Sequence, residues 1–148
     1  MIARDVMTAP VATLSPQQTV GEAVQQLVAG GHHVLPIVDE HGILIGAVGY
    51  WQILEEALPD YLRSGELRDV RFAPDPQRYH ERLVSLKLNP IAGCMERDPP
   101  TVQLNGSALE CAALLLQSSQ RLPLICVVDA SRRLQGVITV SDLLKELR

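Results

Sequence analysis

Ile37-Val38-Asp39 followed by Leu44-Ile45-Gly46-Ala47-Val48 returns as Val127-Val128-Asp129 followed by Leu134-Gln135-Gly136-Val137-Ile138, displaced each time by 90 positions. Self-similarity at a long period decides architecture before any local reading does. Outward from this match the likeness continues in the same order. Asp5-Val6-Met7, Val11-Ala12-Thr13-Leu14 and Thr19-Val20-Gly21-Glu22-Ala23 are answered by Gly93-Cys94-Met95, Thr101-Val102-Gln103-Leu104 and Ser107-Ala108-Leu109-Glu110-Cys111-Ala112. The chain is one unit written twice.

Within each copy the periodicity changes in a fixed sequence. Thr19 and Ser107 are followed three residues later by Glu22 and Glu110, the spacing of a capping box, so each starts a helix. Val20, Ala23, Val24, Leu27 and Val28 make one apolar face, with Gly30-Gly31 to end the helix; Leu109, Ala112, Ala113 and Leu116 are expected to repeat that face. Val34 to Val38 and Leu124 to Val128 then read as strands, each followed by a polar turn and a second strand reaching Val48 or Ile138. Segments around Tyr50 to Ala57 and Val140 to Leu147 close the copies as short amphipathic helices, with Ile53 and Leu54, or Leu143 and Leu144, expected to point inward. Each copy is β-α-β-β-α, and one copy alone leaves a sheet face and a helix face uncovered. The expected fold is therefore α+β: repeat 1 over 1–57, a partly helical connection over 58–89, and repeat 2 over 90–148, the repeats packed about a pseudo-two-fold axis.

The bulk composition agrees with one compact domain. A chain of 148 residues buries roughly 70% of its unfolded surface, and 47% hydrophobic residues with only 3% aromatics leave Leu, Val, Ile and Ala to fill the core. No stretch approaches the roughly 18 apolar residues of a membrane span, and Met1-Ile2-Ala3-Arg4-Asp5 is too polar for a signal peptide, so a cytoplasmic protein without membrane insertion is expected. Cys94, Cys111 and Cys126 form no CxxC pair, and His32, His33, His41 and His80 lack ligand spacing; neither a disulfide framework nor a metal site is expected. A net charge of −4 without a basic run argues against nucleic-acid binding.

Val34-Leu35-Pro36-Ile37-Val38-Asp39 with Gly42, and Gly136-Val137-Ile138-Thr139-Val140-Ser141-Asp142-Leu143, in the β-α-β-β-α order, resemble the cystathionine β-synthase (CBS) repeat. The resemblance covers nearly everything except the connection. It implies a flat pair with two clefts, one or both holding AMP, ADP, ATP or S-adenosylmethionine, and a non-catalytic sensor that needs no cofactor for chemistry. Physically, Thr139 where a strand meets a helix N-terminus can seat a phosphate, and Asp142 can accept from two ribose hydroxyls, the role this Asp has in the family. The same Thr-x-x-Asp spacing is also a plain helix cap. Carried over from the family, Met7, Ala12, His32 and His33 surround the base and Val137 lines it; Met7 and Val137 pack on adenine, and Ala12 acts through its backbone.

Gly46-Ala47-Val48-Gly49-Tyr50-Trp51-Gln52 departs from the signature, with Gly49 for the hydroxyl residue and Gln52 for the Asp, so one good site and one weak or empty one are expected. Repeat 2 has Cys126 where repeat 1 has Pro36, which puts the wall of the other cleft in doubt. Arg63, Arg68 and Arg71 in the connection are candidates for closing over phosphate. Family members usually dimerise through the closing helices, and a homodimer acting on an unknown protein target is expected. A free-standing module is favoured by the Met start and helical end. The rival reading is a constitutive dimerisation or interaction module that holds no nucleotide. No GxSxG, HExxH or Walker A loop supports an enzyme.

Overall fold

The computed structural model describes residues 1–59, 62, 76–118 and 121–148; Arg63, Arg68 and Arg71 lie outside them. The elements in chain order are α1 (Ala3–Val6), α2 (Val20–Gly30), β1 (Val34–Val38), β2 (Leu44–Gly49), α3 (Tyr50–Ala57), α4 (Pro76–Leu86), β3 (Thr101–Gln103), α5 (Ala108–Gln117), β4 (Ile125–Val128), β5 (Leu134–Ile138) and α6 (Val140–Leu143). A 3-10 turn, Lys145–Leu147, follows α6.

The caps form where the sequence places them. Thr19 accepts the Glu22 N–H at 3.1 Å, Ser107 accepts the Glu110 N–H at 3.0 Å, and α2 closes on Gly31 in the left-handed conformation. The caps also set the phase of each helix, and here one expectation fails. Val20, Ala23 and Leu27 are buried in α2, but in α5 the inward residues are Ala108, Cys111, Leu114 and Leu115, while Leu109 is 81% and Leu116 89% exposed. Counting from the caps rather than from the Leu pattern gives the right face, because Ser107 stands to Ala108 as Thr19 stands to Val20. Leu54 and Leu144 are likewise exposed, whereas Ile53 is buried and Leu143 half-buried. Adjacent helical residues diverge by about 100°, so a narrow contact takes one of each pair.

β1 and β2 form an antiparallel pair, and β3-β4-β5 a three-stranded sheet in which β3 runs parallel to β4. Repeat 1 lacks the first strand expected near Val11 to Leu14, which is reduced to a bridge between Leu14 and Ile37. Pro36 supplies the reason. Its counterpart Cys126 donates its N–H to the Pro100 carbonyl at 2.9 Å, a ladder bond that a proline cannot make.

The two repeats exchange their leading segments. Thr8 pairs with Val137 of repeat 2 (2.8 and 3.1 Å), and Glu96 pairs with Ala47 of repeat 1 (2.8 and 2.9 Å). Met1 accepts from the first residue of α5, and Asn89 from the first residue of α2. At the hairpin ends the Leu44 N–H donates to Arg132 and the Leu134 N–H to Gly42, both at 3.0 Å, which is the reciprocity of a pseudo-two-fold axis. Each repeat has its own core, around Leu27 and Ile37 or around Cys111 and Ile125. A third cluster joins Val34, Leu44 and Ala47 to Leu122, Leu124, Cys126 and Val128 across the interface. Each fully buried Leu, Ile or Val stabilises by roughly 1.5–3 kcal/mol relative to an exposed one, so these interfacial side chains bind the repeats into one fold.

α4 lies where the connection's latter part is expected to be helical. It sends Leu86 into the repeat 1 core and leaves Tyr79, Leu83 and Val84 exposed. Its Arg82 guanidinium caps the end of α3, donating to the carbonyls of Ala57 at 2.9 Å and Leu58 at 3.2 Å.

Candidate functional site

β5 leads directly into α6, which places the signature side chains at a strand-to-helix corner. Thr139 is the N-cap in extended conformation, and Asp142 closes a capping box on it. The Asp142 Oδ2 accepts the Thr139 N–H at 2.9 Å and its hydroxyl at 3.2 Å. Oδ1 accepts the Thr8 hydroxyl at 2.9 Å and faces the Lys145 ammonium at 3.2 Å. Lys145 also donates to the Val6 carbonyl at 3.3 Å. The aspartate is only 7% exposed. Burial alone pushes its carboxyl up, but the Thr139 N–H, the Thr8 hydroxyl and Lys145 together outweigh it and hold the group below its ordinary range. The result is a buried, ionised carboxylate contacted from both repeats.

Thr8 is the residue the sequence reading passed over. It immediately follows Met7, and its hydroxyl reaches Asp142 because the leading segment pairs with β5 rather than with its own repeat. Met7 arrives with it: a Cβ at Gly136 would stand 2.5 Å from the Met7 Sδ and 3.0 Å from the Thr8 carbonyl. Met7, Thr8, Val137, Thr139 and Asp142 are therefore brought together. Met7 packs on the repeat 2 core and Val137 on the interfacial cluster, which also contains Val34. His33 directly precedes Val34, is exposed, and sets its ring edge-on to Tyr50 with centroids 6.3 Å apart. His32 folds back over Gly30 at the end of α2, where a Cβ would stand 2.5 Å from its ring, and Ala12 is exposed. Neither has a polar contact with Asp142.

α6 is a single turn of four residues, not the helix to Leu147 expected from the pattern. A macrodipole sums over many aligned peptides, so this turn offers a phosphate much less than a full helix does. The side chains, not the helix, carry the site.

The corresponding corner of repeat 1 is filled differently. The Gln52 carbonyl oxygen accepts the Gly49 N–H at 2.8 Å, and the Gln52 amide donates to the Arg121 carbonyl at 2.8 Å. The Arg121 guanidinium pairs with Glu55. Glu96 stands where repeat 2 has Thr8. A Cβ at Gly49 would lie 2.2 Å from the His33 carbonyl, because the β1-β2 ladder runs on to a Val34–Gly49 pair. The sheet leaves no room for a hydroxyl residue there.

A hollow of about 280 Å³ lined by Thr13 to Gln18 and Val38 to Glu40 contains none of the signature residues. Among the described residues no three His, Cys, Asp or Glu side chains gather as metal ligands do. None of the described helices is long and apolar enough to cross a membrane.

Comparison with known proteins agrees with this architecture. The CBS domain model matches residues 3–58 and 91–148, and the chain belongs to the CBS domain family as a tandem pair. A CBS domain-containing protein of Dictyostelium discoideum is 28% identical over 149 residues, covering 97% of this chain and 89% of that protein. Among solved structures, CBSX2 in complex with AMP superposes with a TM-score of 0.73 at 21% identity, covering 99% of this chain and 95% of the other. The CBS domain pair of MJ0100, in complex with 5'-methylthioadenosine and S-adenosyl-L-methionine, gives a TM-score of 0.69 at 22% identity, with 99% and 95% covered. At such identities the superpositions establish the fold alone.

Proposed function

We propose that this CBS pair is a non-catalytic regulatory module that binds an adenosine-containing ligand (AMP, ADP, ATP or S-adenosylmethionine) at the repeat 2 signature, and that the repeat 1 signature binds none. One observation carries the reading: a buried, ionised Asp142 is contacted at once by Thr8 from the chain's first segment and by Thr139 of repeat 2. Asp142 and the Thr8 hydroxyl oxygen, whose proton lies on Asp142, offer the ribose hydroxyls acceptors, Thr139 lies beside them, and Met7 and Val137 present apolar surface for a base. His33, next to Val34 of the interfacial cluster, is a further candidate from repeat 1, and His32 and Ala12 remain expectations of the family resemblance. The related pairs that hold AMP or S-adenosylmethionine point to the same ligand class. Gln52 and Gly49 have neither a carboxylate nor room for a hydroxyl, which supports one site per chain.

The functional division we adopt is repeat 1 over 1–57, connection over 58–89 and repeat 2 over 90–148, with the first eight residues serving the repeat 2 site. A homodimer is part of the proposal. α5, which carries the exposed Leu109 and Leu116, contacts α6, which the exposed Leu144 and Leu147 follow, and Trp51 and Leu54 are exposed on α3. Three buried free thiols suit a reducing compartment such as the cytoplasm.

A second reading, an interaction module whose Asp142 is only a clasp between the repeats, is favoured by the same hydrogen bonds, since both carboxylate oxygens already have partners. Thermal unfolding with AMP, ADP, ATP and S-adenosylmethionine separates the two. At about 100 times its dissociation constant a specific ligand adds roughly 2.7 kcal/mol of stability. A shift abolished in Asp142→Asn supports the sensor; no shift with any of the four supports the clasp.

A further inference from the structure

Lys145 has no part in the signature, yet its ammonium contacts the signature carboxylate. A carboxylate offers about four lone-pair positions. On Asp142, those of Oδ2 serve the Thr139 cap, where the backbone holds the donor in place. Oδ1 is filled by the Thr8 hydroxyl and the Lys145 ammonium. A ribose diol reaching Asp142 therefore meets an oxygen that is already satisfied. Thr8 is tied to β5 by two backbone bonds and can only rotate its hydroxyl. The Lys145 side chain is 44% exposed and can return its ammonium to water at little cost. Lys145 is the displaceable partner.

We propose that Lys145 is a built-in competitor for the ligand: its ammonium holds Asp142 Oδ1 and leaves when a ribose diol binds. Its departure also unties the Lys145–Leu147 turn from the Val6 carbonyl, so that occupancy of the site reaches a turn whose Leu147 is 81% exposed. The device belongs to repeat 2 alone. At the position matching Lys145, repeat 1 has Glu55, which pairs with Arg121 instead. The inference rests on the proposed reading of Asp142 as the ribose acceptor.

The experiment is calorimetric titration of the full chain with adenosine, an uncharged probe, at about 0.05 M and about 0.5 M salt. Wild type is compared with Lys145→Met, Lys145→Arg and Asp142→Asn. Removing an ion pair of this exposure is expected to tighten adenosine binding roughly two- to fivefold in Lys145→Met at low salt. The gap narrows at high salt, where the wild-type pair is screened, and Lys145→Arg stays with wild type. A merely structural role for Lys145 predicts equal or weaker binding, not tighter. Faster amide exchange at Leu147 and Arg148 on adding adenosine is expected in wild type, and unchanged exchange refutes the untying. Equal or weaker binding by Lys145→Met, while Asp142→Asn still abolishes it, overturns the competitor and leaves the site reading intact. Adenosine that binds neither wild type nor Lys145→Met, or that binds regardless of Asp142→Asn, overturns both.

Discussion

Replacing Asp142 by alanine removes four contacts at one corner, and their environments differ enough to set the size of the effect. The Thr139 N–H, which donates to Oδ2 at 2.9 Å in a half-buried corner, is left without its acceptor, at a cost of about 1–3 kcal/mol. The pair with Lys145 is half open to water and contributes at most about 1 kcal/mol. The Thr8 hydroxyl belongs to an exposed residue and is rehydrated, so its loss adds little. The sum, about 1–4 kcal/mol, lowers the melting temperature by roughly 3–12 °C for a chain of this length. Asp142→Asn retains an oxygen for the Thr139 N–H but sets an NH2 donor where Oδ1 faces Thr8 and Lys145, both open to water, so about 1 kcal/mol is expected. Acid provides an internal check. The folded-state carboxyl lies below its ordinary value of 3.8, so its contribution is complete above the unfolded-state value and disappears as pH falls through the lower folded one. The gap between wild type and Asp142→Asn in urea or thermal melts should be full at pH 7 and shrink below about pH 4. An Asp142→Ala protein within about 0.5 kcal/mol of wild type, the range of an ordinary surface change, refutes the clasp geometry, as does a gap that is the same at pH 3 and pH 7.

Gly46→Ala sets a Cβ 2.7 Å from the carbonyl of Glu96, a residue held by two backbone bonds to Ala47, whereas Gly136→Ala mainly meets the flexible Met7 side chain; urea unfolding should show about 1–3 kcal/mol lost at Gly46 and less at Gly136. Burial pushes the Cys94 thiol up to about 11 and the Cys126 thiol up to about 12, and raises Cys111 as well, so a thiol reagent at pH 8 should label none of the three in the native protein and all three in urea.

Much of the fold was legible because its signals are local. Thr19 and Ser107 announce helix starts through bonds that span three residues. Asp39 and Asp129 organise their turns by accepting backbone N–H groups two and four residues on, at 2.8–3.0 Å. The α5 face was also legible, had it been phased from Ser107, and Pro36 announced the missing ladder bond of repeat 1. Within the site, Thr139 and Asp142 were found because a capping spacing is short-range.

The sequence by itself determined the duplication, the order of helices and strands, and the chemical difference between Asp142 and Gln52, since each depends on residues within a few positions of one another or on comparing one copy with the next. The tertiary structure alone decided that the leading segments change places, and with that exchange came everything that completes the site: Thr8 on Asp142, Met7 over Gly136, and Lys145 between Asp142 and Val6. Lys145 and Asp142 are three residues apart, but Thr8 lies 134 positions from Asp142 and Val6 139 from Lys145. No local propensity encodes such contacts. They arise because two copies, each with an unpaired sheet edge and an uncovered apolar face, satisfy those needs only against one another.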